Sequence, residues 1–313
     1  MEYKKLKNSD LNVSRLCIGG CPMGGYGWGA VSRDDLIEAV HCAIDMGINF
    51  FDTADVYGLG ESERTLGEAI QGRRNKVVIA TKFGLRRDDN GQTYYDNSPE
   101  WIRQALKSSL KRLNTDYIDL YQVHYRDGKT SISSIVKTLE ELKQKGTIRY
   151  YGLSNISSTD IEEIKTLPDK FVSFQDEYSL ACRKNEQDIL EITQKLNISV
   201  LTWGSLGQGI LTGKYNSDVT FGNDDRRSRD IYSNFHGEKL LNNLKIVDEM
   251  KKISADTGKS LPAIAIRWIL DFLTESVVIA GAKSPEQVES NAFALGWSLT
   301  EEQIQQLDLV SRY

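Results

Sequence analysis

The sequence predicts an α/β fold, a closed (β/α)8 (TIM) barrel with an N-terminal β-hairpin cap, and three observations lead there. Eight short runs rich in Val, Ile, Phe and Tyr recur along the 313 residues, each near-continuous in apolar character, as strands buried on both faces are. Amphipathic stretches of helical period lie between them, which is how parallel strands joined by helical crossovers read. No linker interrupts the series, and the glycine fingerprint of an open dinucleotide-binding sheet is missing, so closure into a barrel is favoured over a doubly wound sheet.

The opening segment, YKKLKNSDLNVSRLCIGG, reads as two short strands around a turn at Asn8-Ser9-Asp10, an added cap beneath the barrel. The barrel strands are then RLCIGG, NFFDTA, VVIATKF, IDLYQVH, YYGLSN, VSFQDEY, SVLTWG and SVVIAGA. Residues 34–46, 99–113 and 132–145 have the helical pattern, and a further helix starts near Ser62. The second of these opens on SPEW, a Ser N-cap followed by Pro at the first helical position. One connection breaks the rhythm: residues 204–236 are polar, rich in Gly, Asp and Arg, and without a clear strand. Loops of that length are usually functional or disordered, and in a barrel this one belongs to the C-terminal face.

Composition narrows the function. A net charge of −5 argues against a general affinity for nucleic acid. Cys17, Cys21, Cys42 and Cys182 have no paired spacing, which suits reduced thiols in the cytoplasm. The N-terminal residues MEYKKLKNSD hold no apolar run, so no secretory signal is expected, and no apolar stretch is long enough to span a membrane. With no His or Cys at ligand spacing around Cys17 and Cys21, no metal site is expected. GILTGKY lacks the spacing of a phosphate-binding P-loop, and GLSNI lacks the second glycine of a nucleophile elbow.

Four polar groups converge instead. Asp52 ends the second barrel strand, Tyr57 follows in its glycine-flanked loop, Lys82 ends the third strand and His124 the fourth. Parallel barrel strands aim their C-terminal ends at one face, where active sites of this architecture lie. Taken singly, Asp52 reads as a turn residue, Tyr57 as a surface aromatic and His124 as a core histidine. Lys82 after VVIAT is harder to dismiss, because lysine is rarely buried unless paired. A phenol with an ordinary pKa of about 10 is a weak acid at neutral pH, and an ammonium beside it is expected to lower that value. In this reading Asp52 orients Lys82, Tyr57 is the general acid, and His124 hydrogen-bonds the substrate oxygen. Such a set polarises and protonates a carbonyl but supplies no electrons, so a hydride-donating cofactor is required.

INFFDTADVYGLGESERTLGEAI, ATKFG, YIDLYQVH, YYGLSN and TWGSLGQGILTGKY, in that order, resemble the motifs of the aldo-keto reductases. The resemblance covers nearly the whole chain as one domain, residues 1–313. It is nearest the branch of bacterial general-stress and inositol-locus reductases and potassium-channel β subunits. It implies the tetrad Asp52, Tyr57, Lys82 and His124, and NADPH/NADP+ lying across the barrel mouth beside Gly20, Cys21, Asp52 and Tyr57. It further implies that Ser154, Asn155 and Gln175 hold the nicotinamide carboxamide, with Tyr178 stacked on the ring. Trp203, Gly204, Ser205, Leu206, Gln208 and Lys214 would follow the pyrophosphate, and Gly281, Lys283, Gln287 and Asn291 the adenosine phosphate, helped by Arg227. Two departures bear on the pocket: Gly20-Cys21 stands where the family often has Thr-Trp, and Ser205 where it often has Pro.

The expected activity is NADPH-dependent reduction of a small aldehyde, ketone or sugar-like carbonyl to an alcohol. A low-turnover cofactor-sensing or channel-associated subunit on the same fold is the second reading, and a barrel lyase or hydrolase rests on fold analogy alone. Intact Tyr57 and His124 favour turnover.

Overall fold

Strands β1 (Tyr3–Lys5) and β2 (Asn12–Ser14) pair antiparallel around a turn in which Asn8 takes a left-handed backbone, φ 55°. In this computed structural model, which describes residues 1–29, 31–88 and 90–313, that hairpin closes the bottom of a barrel. The barrel strands are β3 (Leu16–Gly19), β4 (Phe50–Asp52), β5 (Val78–Phe83), β8 (Ile118–Val123), β9 (Ile148–Ser154), β10 (Ser173–Glu177), β11 (Ser199–Trp203) and β12 (Ser276–Gly281). They are parallel and run in sequence order around a closed ring, each corresponding to one of the eight sequence runs.

Strand alternation sorts the side chains into two cores. Leu6, Leu11 and Val13 of the hairpin plug the barrel from below and meet Phe50, Ala80, Leu120 and Leu201 inside it. The opposite faces of the strands pack against α1 (Arg33–Asp45), α2 (Glu61–Ala69), α3 (Pro99–Leu113), α4 (Ile132–Gln144), α5 (Ile161–Lys165), α6 (Glu186–Leu196), α7 (Gly237–Thr257), α8 (Leu261–Phe272) and α9 (Pro285–Ala292). Helix α10 (Glu301–Val310) ends the series with a capping box between Thr300 and Gln303. Helix α3 starts as expected, with Ser98 accepting from the Trp101 N–H and Pro99 in the first turn.

Two features at the C-terminal face depart from the repeating unit. A small antiparallel hairpin, β6 (Leu85–Arg87) with β7 (Thr93–Tyr95), follows β5 and was not expected from the sequence. The long connection after β11 holds no strand but three short 3-10 turns, at Gly207–Thr212, Arg226–Ser228 and Ser233–Phe235. It reaches across the mouth to the loop after β3, where the Arg226 N–H donates to the Gly27 carbonyl at 3.0 Å.

Beneath the mouth, α2 is pinned by a carboxylate with no access to water. Glu63 accepts from the Thr81 hydroxyl at 2.6 Å and from Arg112 Nε on α3 at 2.5 Å. Removing one partner of a buried pair leaves the other charge stranded. Arg112→Met is therefore expected to destabilise the protein by about 3 kcal/mol, read as a lower midpoint in urea unfolding. A loss under about 1 kcal/mol, the scale of an exposed pair, would mean that Glu63 is not held by this contact.

Candidate active site

Asp52, Lys82 and Gln122 point into the barrel because they share parity with the interior residues Phe50, Ala80 and Leu120. Lys82 is fully enclosed, and its Nζ donates to Asp52 Oδ1 at 2.5 Å and to the Thr53 carbonyl at 3.0 Å, with the Tyr57 hydroxyl at 3.4 Å. The other oxygen, Asp52 Oδ2, accepts from Gln122 Nε2 at 3.1 Å and from Gln175 Nε2 at 2.9 Å. Gln175 Nε2 also donates to Gln122 Oε1 at 3.3 Å.

The Tyr57 loop is docked backbone to backbone. Gly58 has φ 59°, and a Cβ there would lie 2.1 Å from the Gly24 carbonyl oxygen, so only glycine lets this loop seat against the turn after β3. Gly20 is similarly constrained: a Cβ would meet Ser62 Oγ at 2.7 Å. That accounts for glycine at the first of the two departing positions. The Tyr57 ring meets His124 edge-on, with centroids 6.1 Å apart. His124 in turn stacks on Tyr125 at 5.0 Å, and Tyr125 on Tyr95 of β7 at 5.1 Å.

Burial governs the protonation states. It pushes the Tyr57 phenol well above its ordinary value, and Cys21 and Asp52 push in the same direction. The expectation of a lowered value is corrected here: with Asp52 beside the ammonium, the cost of burying a phenolate dominates. Burial, then Lys82, holds His124 well below the ordinary imidazole value, so its ring is neutral. His124 Nδ1 is buried without a partner among the described residues. Asp55, between Asp52 and Tyr57, is driven up to about 8 by burial and then by Glu63, and its Oδ1 is likewise buried and unpartnered. Sequence reasoning passed over Asp55 and Gln122, although both stand inside the quoted motifs.

Around this centre the remaining candidates divide. Ser154 Oγ donates to the Gln175 carbonyl at 3.1 Å, and Asn155 Nδ2 to the His124 carbonyl at 3.0 Å, so both sit at the mouth beside the tetrad. Tyr178 does not. Its ring is fully buried against Trp268 of α8, centroids 5.7 Å apart, and its hydroxyl donates to Glu186 at 2.6 Å. Alternation explains the correction: Gln175 faces inward, so Tyr178, three residues on, faces the helices. Trp203 is in register with Glu177 and shares the inward parity of Leu201, which brings its half-buried indole to the mouth.

Gly204 starts the next turn at φ 69°. The Ser205 hydroxyl is turned inward, donating to the Ile279 carbonyl at 2.9 Å, and Leu206 is half-buried beside it. Gln208 is held by Glu177 at 3.1 Å. Asn291 Nδ2 donates to the Gly281 carbonyl at 3.4 Å, and Gln287 Oε1 accepts the Lys283 N–H at 3.0 Å, so both shape the loop after β12. Lys283 Nζ spends one of its three hydrogens on the Trp28 carbonyl at 2.8 Å. Burial lowers its pKa, and so do Arg227 and Lys214 close by. Arg227 is paired with Asp225 through Nε at 2.8 Å, whereas Lys283 and Lys214 form no salt bridge among the described residues. Two lysines without a carboxylate partner, close together and beside Arg227, offer a place for an anion, and a dinucleotide phosphate fits it.

A closed parallel barrel with a Lys–Asp pair, a neutral phenol and a neutral imidazole at its mouth defines a carbonyl oxidoreductase site. Residues 15–312 match the Aldo/keto reductase family, and the chain belongs to it as an NAD(P)H-dependent oxidoreductase. It is 35% identical over 305 residues to the aldo-keto reductase YhdN of Bacillus subtilis (strain 168), covering 96% of this chain and 91% of that protein. Among solved structures, the glycerol dehydrogenase AKR11B4 from Gluconobacter oxydans superposes with a TM-score of 0.88 at 37% identity, covering 98% of this chain and 94% of that one. An aldo/keto reductase from Klebsiella pneumoniae in complex with NADP and acetate is similar at a TM-score of 0.76 and 25% identity, with 98% and 95% covered.

The raised Asp55 carboxyl gives a signed prediction. An acid whose folded pKa exceeds its unfolded value makes stability fall as pH rises between the two. For Asp55 that window runs from the ordinary value of about 3.9 to about 8. Asp55→Asn cannot ionise, so it should gain stability over wild type as pH rises from 4 to 8, by about 2 kcal/mol or more, and no further above that. Denaturant unfolding at a series of pH values measures this. A constant difference across the range would mean that the carboxyl is solvated and charged.

Proposed function

We propose that this protein reduces the carbonyl of a small aldehyde, ketone or sugar-like substrate to an alcohol, with Tyr57 as proton donor and NADPH as reductant. The observation that carries the reading is Lys82, an enclosed ammonium held between Asp52 Oδ1 at 2.5 Å and the Tyr57 hydroxyl at 3.4 Å. NADPH, when bound, supplies the hydride to the carbonyl carbon. Tyr57, protonated across neutral pH, donates to the carbonyl oxygen as negative charge gathers there, and Lys82 stabilises the phenolate left behind. The neutral His124 imidazole has a free N–H to share with the same oxygen. Solvent returns a proton to Tyr57 after the alcohol leaves.

The site's residues take the following roles in this reading. Gln175, Ser154 and Asn155 receive the carboxamide, and Trp203, rather than Tyr178, covers the nicotinamide ring. Gly204, Leu206, Gln208 and Lys214 line the pyrophosphate, while Lys283 keeps two free hydrogens for the 2′-phosphate. Tyr26, Trp28 and Tyr125 wall the substrate space, which suits a small polyol or its carbonyl, as the name of the Gluconobacter relative supports. Four free thiols support a cytoplasmic location.

Tyr57→Phe should cut turnover at least about a hundredfold while NADPH still binds, because the lost hydroxyl faces the carbonyl. Steady-state rates together with a cofactor titration check this, and near-normal turnover would remove Tyr57 from the mechanism. Lys283→Ala should weaken NADPH by about 2 kcal/mol, the scale of a hydrogen bond between charged groups, and leave NADH nearly unchanged. Equal weakening of both cofactors would take the 2′-phosphate away from Lys283.

A further inference from the structure

Gln122 lies on β8 two residues before His124, and it is completely enclosed. An amide at this depth survives only if its polar atoms are matched, and here they are. Nε2 donates to Asp52 Oδ2 at 3.1 Å, and Oε1 accepts from Gln175 Nε2 at 3.3 Å. That same Gln175 nitrogen donates to Asp52 Oδ2 at 2.9 Å. The orientation of both amides is fixed by chemistry, since an ionised carboxylate can only accept. Turning either amide over would set oxygen against oxygen.

One consequence concerns Gln175. Both hydrogens on its Nε2 are spent inside the barrel, so Oε1 is the atom it can offer outward, and no described residue donates to it. A second concerns Asp52. Two amides occupy Oδ2, which leaves Oδ1 for Lys82.

We propose that Gln122 is a positioning residue that joins the acid centre to the cofactor's carboxamide site. It holds Gln175 with its oxygen outward, ready to accept from the carboxamide N–H, and it fixes which oxygen of Asp52 serves Lys82. The proposal rests on the reading that Gln175 receives the carboxamide. Loss of Gln122 loosens both partners together, so cofactor binding and proton delivery fail through one residue that touches neither substrate nor cofactor.

The test uses Gln122→Leu and Gln122→Glu, with Gln175→Leu as control. NADPH and adenosine 2′,5′-bisphosphate, which lacks the nicotinamide half, are titrated against each protein. Gln122→Leu should weaken NADPH about tenfold, the scale of one hydrogen bond, and leave the bisphosphate unchanged. In Gln122→Glu the introduced carboxyl, enclosed beside Asp52, stays protonated at low pH. Its O–H then donates to Asp52 and its carbonyl accepts from Gln175, so turnover should approach wild type. As pH rises the carboxyl ionises against Asp52, and turnover should fall away from the wild-type pH profile.

Equal weakening of both ligands by Gln122→Leu would make the residue ordinary packing and overturn the proposal. So would a Gln122→Glu profile parallel to wild type, and that profile decides alone if the leucine variant does not fold. NADPH affinity lost in Gln175→Leu but kept in Gln122→Leu overturns the proposal and spares the carboxamide reading. Affinity kept in Gln175→Leu overturns both.

Discussion

A lysine with no exposed surface sits inside the barrel, and the upper half of the molecule is arranged around pairing it. Taking an ion pair out of water is costly. Asp52 meets Lys82 at 2.5 Å, but a buried ion pair is tolerable only when its remaining polar atoms are also satisfied. The Thr53 carbonyl takes a second Lys82 hydrogen, and the two glutamine amides take the second Asp52 oxygen. This explains why the barrel interior changes character along its axis. The hairpin and lower layers supply Leu6, Leu11, Phe50, Leu120 and Leu201, whereas the top layer is Asp52, Lys82, Gln122 and Gln175. Polar residues in that layer serve one another.

Balancing the pair also decides what its neighbours can do. An uncompensated ammonium would draw Tyr57 toward phenolate, and phenolate is the wrong form for giving up a proton. With Asp52 in place, burial dominates, and both Tyr57 and His124 rest in neutral forms that still carry a donor hydrogen. In the proposed reaction the ammonium acts when charge appears beside it, as the phenol lets its proton go. That is stabilisation aimed at developing charge rather than at the resting state.

How much of this could be read beforehand depended on burial. The eight barrel strands were legible because both faces are covered and the runs are nearly unbroken in apolar character. Hairpin β6–β7 is short and exposed, so it lacks that signal, although the Asn90-Gly91 pair inside it is a turn mark. That Asp52, Tyr57, Lys82 and His124 meet at one face was legible from motif and strand end together. Tyr178 was not, because an aromatic next to a site motif looks like a site residue until strand parity is counted. Counting from Gln175 turns it outward and turns Trp203 inward. Protonation was the least legible property of all. The strand ends that bring Asp52 and Lys82 to Tyr57 say nothing about the depth at which the three meet, and that depth decides the direction of the Tyr57 shift.

A division of labour follows from where the two halves of the site are anchored. Asp52, Lys82 and His124 stand at the strand ends of a closed sheet whose ladder hydrogen bonds and packed interior fix them, and Tyr57 stands on a loop seated backbone to backbone against the turn after β3. The groups around the substrate space and the phosphate cluster stand on loops, and those loops hold one another across the mouth: Lys283 to the Trp28 carbonyl, Arg226 to the Gly27 carbonyl, and Arg229 to the Tyr26 hydroxyl at 3.0 Å. Loops tolerate substitution and movement that a barrel layer cannot. On the proposed reading, changes at Tyr26, Trp28 or Lys283 therefore retune substrate and cofactor choice without reaching the Asp52–Lys82 pair. A change in the amide layer beneath reaches it at once.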